Sequence, residues 1–469
     1  GWILLPFYGA VFWGAVLAGL VPVPLAVPVL LSAGEPASEK VRLTMARLPS
    51  AALITREDRA GQVAELLRAG GLTGRSVLSL DSLRRAAPLT IPVVRPPDAP
   101  ALLLLTSGST AEPKIVPQTH RRLISRSRAT ILTNGFRREE VSLNWLPLDH
   151  VGGLVMFHLR DVVCGCSQLQ AETNLVLKYP LIWMDWCSQY QVTVTWAPNF
   201  GYSLLNTRAK EVRAKRWDLS ALWFILNGGE AIVAEQAREF MELLAPHGLR
   251  ADAMRPAWGM SETCSGVTFE HDFRSISTRT ASVSVGRPIH GITVRIADDD
   301  GHVMGEGARG RLQIRGVSIF EGYLNNPEAN RESFPGDGWF DTGDLGVIID
   351  QGLHIVGRRK DVLIVNGLNI APTEIERMVE TNPDVVPAHT AAMAVREAGD
   401  ITDQLALFLH TEKTGEAREA LLSDLRIQLA RTFGISPSVI VEVAPEEMPR
   451  TSIGKIQKEV LKSRLEKGL

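Results

Sequence analysis

The segment Thr106-Ser107-Gly108-Ser109-Thr110-Ala111-Glu112-Pro113-Lys114 gathers four hydroxyls, a glycine and a lysine into one short stretch. A polyphosphate needs that set: backbone N–H groups in a concave nest, hydroxyl donors and a cation. It is not a Walker A loop, which ends in Gly-Lys-Ser/Thr; Pro113-Lys114-Ile115 stands here instead. A solvated Ser/Thr linker is the plain alternative. Linkers are not normally set between an apolar run, here Ala101 to Leu105, and a helical pattern, here from His120. The loop therefore reads as a phosphate cradle. Other eye-catching groups read as ordinary structure. Cys164-x-Cys166 lacks a second ligand pair. Asp298 to Asp300 with Gly301 suits a hairpin turn better than a calcium site, and Trp183 with Trp186 suits core packing.

The elements that must position this loop follow from patterning. The chain has 469 residues, 45% hydrophobic and 22% charged, enough to bury a large core in two or three folding units at roughly 150 residues each. Lys plus Arg number 50 against 52 for Asp plus Glu, a net charge of −2. That balance carries no electrostatic footprint for nucleic acid or an anionic membrane. Four cysteines without disulfide-like spacing (Cys164, Cys166, Cys187, Cys264) read as reduced thiols of a cytoplasmic protein. The apolar run Phe7 to Val21 is shorter than the roughly 20 residues of a spanning helix, and its small residues predict a helix buried inside the protein. A start at Gly1, within an apolar stretch, reads as a piece of a longer chain.

Short apolar runs (Ala51 to Ile54, Val77 to Leu80) alternate with helical patterns such as Ala60 to Ala69, the rhythm of a parallel sheet covered by helices. Ala101 to Leu105 reads as a central strand. Val192 to Trp196 and Leu222 to Leu226 read as two more strands, and Val233 to Leu244 as an amphipathic helix. Near residue 283 the pattern turns to antiparallel hairpins, Ile292 to Ile296 and Arg311 to Ile314. After Arg358-Arg359-Lys360-Asp361 it changes again, to a helix at Pro372 to Glu380 and strands at Ala391 to Val395 and Gln404 to His410. The expected fold class is α/β. A large N-terminal body, residues 1–359, holds two βαβ subdomains and a β-rich subdomain. A smaller, mobile α+β C-terminal domain spans 361–469, with the hinge at Lys360.

The loop resembles the phosphate loop of the adenylate-forming superfamily: acyl-CoA synthetases, adenylation domains of peptide synthetases and beetle luciferases. Further motifs follow in that family's order between residues 101 and 458. Trp145 to Gly153 (Trp-Leu-Pro-Leu-Asp-His-Val-Gly-Gly) resembles its acyl-pocket motif, and Asn227-Gly228-Gly229-Glu230-Ala231 its adenine-side strand end. Trp258-Gly259-Met260-Ser261-Glu262 is similar to the aromatic-Gly-x-Thr-Glu motif. Thr342-Gly343-Asp344, the Gly357 to Asp361 hinge, Asn366 to Glu376 and Pro449 to Lys458 complete the set. Residues 1–100 fit only in general rhythm.

The resemblance implies ATP and Mg²⁺ as cofactors, and an acyl-AMP that is then passed to a thiol. It assigns Thr106, Ser107, Gly108, Ser109, Thr110 and Lys114 to the phosphates, and Gly228, Gly229, Glu230, Trp258, Gly259, Met260 and Ser261 to the nucleotide. Asp344 would accept the ribose hydroxyls, Arg358 would touch ribose and phosphate, and Glu262 would hold Mg²⁺, which one or two carboxylates plus phosphates commonly bind. Lys455 would bridge carboxylate and α-phosphate, with His150 beside it as a further catalytic group. Trp258's flat ring and the missing side chain of Gly259 suit a nucleotide face. His150, Val151, Gly152, Trp196, Asn199, Gly228 and Trp258 would line the acyl pocket, and Asn366 and Gly367 the thiol channel.

Two positions depart from the family pattern. Ala111 replaces a usual glycine. Val151 stands where amino-acid-activating members carry an aspartate for the α-amino group, and valine cannot pair with a buried ammonium. The expected substrate is therefore a carboxylic acid without that group: fatty, aryl, hydroxy or keto. The stretch Leu146 to Thr173 resembles acyl-ligase domains of modular polyketide–peptide synthases, which points to the pantetheine of a carrier protein as acceptor. The alternatives are a free-standing acyl- or aryl-CoA ligase and a catalytically silent nucleotide-binding module. No fatty acyl-AMP ligase insertion is seen between Gly316 and Thr342.

Overall fold

The computed structural model describes residues 6–25, 36–106, 113–275, 282–365, 368–395, 404–451 and 454–467. Ser107 to Glu112, Asn366, Gly367, Ser452 and Ile453 lie outside the described residues. β1 (Leu53–Thr55) and β2 (Val77–Ser79) pair in parallel around the helix Glu57–Ala69, the expected βαβ unit. β3 (Pro100–Leu105) and β4 (Ile115–Thr119) pair antiparallel as a separate two-stranded ribbon. This corrects the expectation of a central strand at Ala101 to Leu105 followed by the loop and then a helix, with no strand between. The phosphate-loop segment instead joins the two arms of the ribbon, and the helix His120–Asn134 follows β4. β4 escaped notice because Pro117, Gln118 and Thr119 break its apolar pattern, and proline is tolerated where a strand has a free edge.

The main sheet contains β5 (Val141–Asn144), β6 (Ser167–Gln170), β7 (Val194–Ala197), β8 (Phe224–Asn227), β9 (Met254–Met260), β10 (Ser265–Phe269) and β11 (Arg287–Pro288). Its order is β11-β10-β9-β8-β7-β5-β6, parallel from β6 to β9 and antiparallel beyond. All residues of β7 and β8 are buried, as expected of parallel strands covered on both faces. Trp183 and Trp186 are buried in the core that backs them. β12 (Ile292–Ala297), β13 (Gly310–Gly316), β14 (Phe340–Ile349) and β15 (Gly352–Arg358) follow as an antiparallel meander. Beyond it, the strands Ala391–Val395, Gln404–Leu409 and Val439–Glu442 form a three-stranded sheet. Leu421, Leu425 and Leu429 of the helix Gly415–Phe433 pack with Ile375 and Val379 in a cluster separate from the body's core.

The first helix, Pro6–Leu17, is not the buried helix its composition suggests. Phe12 is buried, but Leu17 is 50% and Leu20 63% exposed. The helix lies against the body through Trp13, whose indole N–H donates to His158 Nε2 at 2.9 Å. Among the described residues no helix is long and apolar enough to cross a membrane.

Candidate active site

β5, β7, β8 and β9 run in the same direction, so the chain leaves their carboxyl ends along one edge of the sheet. Ligands of open α/β sheets bind outside those ends. The edge carries His150 to Gly153 after β5, Asn199 after β7, Gly228 to Glu230 after β8, and Trp258 to Glu262 where β9 ends.

Asp344 and Arg358 face each other across the β14–β15 register, and Arg358 Nε lies 2.7 Å from Asp344 Oδ1. The indole N–H of Trp258 donates to Asp344 Oδ2 at 2.9 Å, linking the meander to the main sheet. Burial pushes the Asp344 carboxyl up, and Arg358 pulls against it. Gly259 is closed in by the neighbouring strand. A methyl there would overlap the backbone of Ser265 and Gly266 on β10. At Gly228 a methyl would sit 2.8 Å from the Ala257 carbonyl oxygen, while Gly229, at φ +94°, opens to free space.

Glu262 is buried in the short turn Ser261–Thr263, and its Oε1 accepts from the Tyr323 hydroxyl at 2.9 Å. Gln118 donates to the Ser261 carbonyl at 2.7 Å, tying β4 to this turn, while the backbone N–H of Met260 is held by Thr263 Oγ1. Lys114 places its ammonium 4.7 Å from the centre of the Tyr323 ring. One tyrosine thus joins the phosphate-loop lysine to the carboxylate expected to hold the metal. Desolvation pushes Glu262 up, a penalty that a bound cation would relieve, so the donor fits Mg²⁺ plus phosphates. The Thr106 N–H donates to the Lys114 carbonyl at 3.0 Å, closing the base of the loop. Thr106 Oγ1 is buried and without a hydrogen-bond partner among the described residues.

Beside His150 begins a π-helix, Gly152–Leu159, a widened turn common at functional sites. The Gly152 N–H donates to His150 Nδ1 at 3.1 Å, and buried Arg126 donates to the Val155 carbonyl at 3.3 Å. Burial and the charges of Lys40 and Lys455 pull His150 down to about 4, so it is neutral at pH 7. Val151 is buried at the start of this helix. Asn199, expected in the pocket, spends its amide elsewhere. It donates to Gln236 Oε1 at 2.6 Å and accepts from the Val233 N–H at 3.1 Å.

Lys455 sits on a turn whose backbone is tightly bound. The Thr451 N–H donates to the Lys455 carbonyl at 2.8 Å, and Lys455 N–H donates to Thr451 Oγ1 at 3.1 Å. Arg450 spans the same turn, donating to the Gly454 and Ala388 carbonyls at 2.7 and 2.5 Å. Gly454, at φ +80°, lies against Phe200, where a methyl would come within 2.7 Å of the ring Cζ. The Phe200 N–H in turn donates to Glu230 Oε1 at 2.7 Å. Burial pushes Glu230 up; Arg450 and Lys455 are the cations whose fields oppose this.

Residues 6–324 match the model of the AMP-binding enzyme family. The chain belongs to that family. It is thereby a member of the adenylate-forming superfamily of acid–thiol ligases. It is 34% identical over 384 residues to the nonribosomal peptide synthetase atqA of Aspergillus terreus, covering 78% of this chain and 40% of that protein. The chain therefore spans less than half of that relative's length. Among solved structures, McyG A-PCP complexed with phenylalanyl-adenylate superposes with a TM-score of 0.90 at 35% identity, over 99% of this chain and 73% of that one. A multidomain structure of a keto acid-selecting peptide synthetase module, with adenylation and ketoreductase domains, gives 0.88 at 35%, over 97% and 40%.

In this AMP-binding enzyme, sequence reasoning missed Tyr323, Lys40 and Phe200. Tyr323 sits in a loop between β13 and β14, where no spacing marks it. Lys40, on the helix Pro36–Arg47, looks like any surface lysine until the fold brings its charge to His150 and Asp149. Lys360 lies in the turn Arg359–Asp361 that follows β15. Asp298, Asp300 and His302 form the one candidate metal group found among the described residues, around a turn closed by the Gly301 N–H on the Asp298 carbonyl.

Proposed function

We propose that this chain activates a carboxylic acid lacking an α-amino group to its acyl-AMP and then passes the acyl group to the pantetheine thiol of a carrier protein. Val151 carries the substrate reading. It puts an aliphatic side chain at the head of the π-helix, beside a neutral histidine, where an ammonium would need an anion. Asp149, two positions earlier in the sequence, is itself pushed toward its neutral form by burial. The keto acid-selecting module supports this reading by similarity; the phenylalanyl-adenylate complex shows that overall likeness does not decide it.

In the proposed reaction the acid's carboxylate attacks the α-phosphate and pyrophosphate leaves, so the barrier is mainly crowded negative charge. Lys114, from the body, and Lys455, from the C-terminal region, would offer the cations. Glu262 would hold Mg²⁺, which supplies charge neutralisation on the phosphates. Asp344, fixed by Trp258 and Arg358, would accept the ribose hydroxyls. Residues 361–469 would act as a domain turning about Lys360, so that Asn366 and Gly367 replace Lys455 when the thiol enters. The four free cysteines suit a cytoplasmic setting.

The test is pyrophosphate exchange with matched sets of a 2-keto, a 2-hydroxy and a 2-amino acid of one carbon skeleton. Preference for the keto or hydroxy member by at least about tenfold, or ~1.4 kcal/mol, is expected. Stronger exchange with the amino acid would overturn the substrate reading, and no exchange with any acid would favour a silent nucleotide-binding module.

A further inference from the structure

Gln170, Asn144 and Trp196 lie side by side on three adjacent parallel strands. Asn144 of β5 is opposite Gln170 of β6, and Trp196 of β7 follows the paired step of Leu143 with Thr195. Hydrogen bonds join the row. The indole N–H of Trp196 donates to Asn144 Oδ1 at 2.6 Å, and Asn144 Nδ2 donates to Gln170 Oε1 at 2.8 Å. Gln170 Nε2 donates to Gln168 Oε1 at 3.5 Å; the two glutamines share one face of β6 because side chains repeat every second residue. His158, near the end of the π-helix, donates from Nδ1 to the same Gln168 oxygen at 2.8 Å. Its Nε2 accepts from Trp13 of the helix Pro6–Leu17 at 2.9 Å. At the other end the Trp196 ring stacks on His150 at 6.2 Å and 22°. An unbroken series of side chains therefore runs from the N-terminal helix to His150.

The donors and acceptors of this series fit together in one arrangement. An indole can only donate, so Asn144 turns its oxygen to Trp196, where the Leu146 N–H also reaches it at 3.2 Å. Its amide nitrogen then faces Gln170 and the Leu146 carbonyl. At the far end Trp13, a second indole, can only donate, so His158 Nε2 is the acceptor and Nδ1 carries the proton. Burial pushes His158 down, which favours this neutral ring. Both halves of the series meet on Gln168 Oε1, and Gln168 Nε2 closes back on the His158 carbonyl at 3.0 Å. Without the Trp13 donor, His158 is free to take its other tautomer, which has no proton for Gln168. We propose that Trp13 is a positioning residue for acid activation, acting through His158, Gln168 and Asn144 on the Trp196–His150 pair. This inference rests on the acid-activating function proposed above. It gives the N-terminal helix, which carries none of the expected site residues, a part in that function.

The experiment measures pyrophosphate exchange with the best-exchanged acid of the matched keto, hydroxy and amino sets, taking KM separately for the acid and for ATP. Trp13→Phe keeps an aromatic ring and removes the donor. It should lower kcat/KM for the acid by about three- to tenfold, the scale of one lost hydrogen bond, and leave KM for ATP nearly unchanged. Gln168→Met, which removes the meeting point, should have a similar effect. Joining it to Trp13→Phe should lower exchange little further, because both changes cut one series. His158→Gln, which offers an acceptor to Trp13 and a donor to Gln168, should keep most of the activity, and His158→Leu should not. Independent packing defects would instead add, and would not favour glutamine over leucine. An unchanged Trp13→Phe, additive losses, equal losses in the two His158 variants, or a rise in KM for ATP matching that for the acid would overturn the positioning role while leaving acid activation intact. Absence of exchange with every acid in the unaltered chain would remove acid activation itself and this inference with it.

Discussion

Glu262 and Asp344 are buried, and each is held by a hydrogen bond from a neighbouring ring, whereas Lys455 is positioned through the backbone of the turn that carries it. The two acids stand on the body, Asp344 on β14 and Glu262 in the turn after β9, both part of the region built on one continuous core. The lysine stands in the C-terminal region, which has its own smaller clusters. In the proposed two-step scheme this difference would divide the work: groups needed in both half-reactions would belong where reorganisation is costly, and a cation needed in only one would belong on an element that can leave.

The sharpest way to break that comparison is to remove the lysine. Lys455→Ala should lower adenylation by about 10²–10³, the loss typical of one preorganised charge-stabilising donor, and leave thiol transfer from pre-formed acyl-AMP nearly intact. Lys360→Pro, which fixes φ in the turn after β15, and Gly367→Trp, in the expected thiol channel, should do the reverse. Assaying both half-reactions on each variant decides the matter. Equal loss of both steps in all three would show that the C-terminal region does not exchange its contacts between reactions.

A smaller effect sharpens the same contrast. Gly454 combines a left-handed φ of +80° with the Phe200 ring against its Cα. Alanine there would meet backbone strain of ~1–3 kcal/mol and a collision with the ring. Adenylation should fall by about one to two powers of ten at 1.4 kcal/mol per decade, with thiol transfer less affected. If Gly454→Ala slowed both steps alike, its contact with Phe200 would not be specific to the arrangement that brings Lys455 to the cleft.

Much of this contrast was legible in the residues. The hairpin meander, the amphipathic helix now seen at Ala234–Leu244 and the helix Pro372–Glu380 follow from apolar spacing, which local sequence records. β4 was not legible, because a proline and two polar residues hide a short strand whose pairing with β3 is stabilised by burial of Leu102 on β3 and Val116 on β4. The π-helix was hidden for a related reason. Its apolar run reads alike as strand or helix, and one of its carbonyls has a partner far away in the sequence: Arg126 donates to Val155 from another helix. At the site, Asp344 and Arg358 could be named by resemblance, but their direct cross-strand pairing is a matter of register. Asn199 was placed in the pocket because its type and position allow it, yet two partners on the neighbouring helix and loop consume its amide.

The mildest test uses pH. Crowding of the cleft around its ammonium, and then the like charge of Arg358, lowers Lys455 from the usual lysine value of 10.5. The charged form is the one that would stabilise the crowded phosphates. Adenylation should therefore be fully supported below the lowered pKa and fade as pH rises through it, earlier than an ordinary lysine would allow. Thiol transfer, which does not use Lys455 in this scheme, should lack that alkaline limb. On the acid side His150, pulled down to about 4, is already neutral and should add no limb near an ordinary histidine pKa. The measurement is a pH–rate profile for each half-reaction, with Lys455→Arg as the second arm. A guanidinium stays charged throughout, so this variant, although slower because its fork fits the site differently, should lose the alkaline limb. An identical limb in both half-reactions, or one that survives in Lys455→Arg, would assign the titration to another group and leave the body, not the C-terminal turn, in control of the charge.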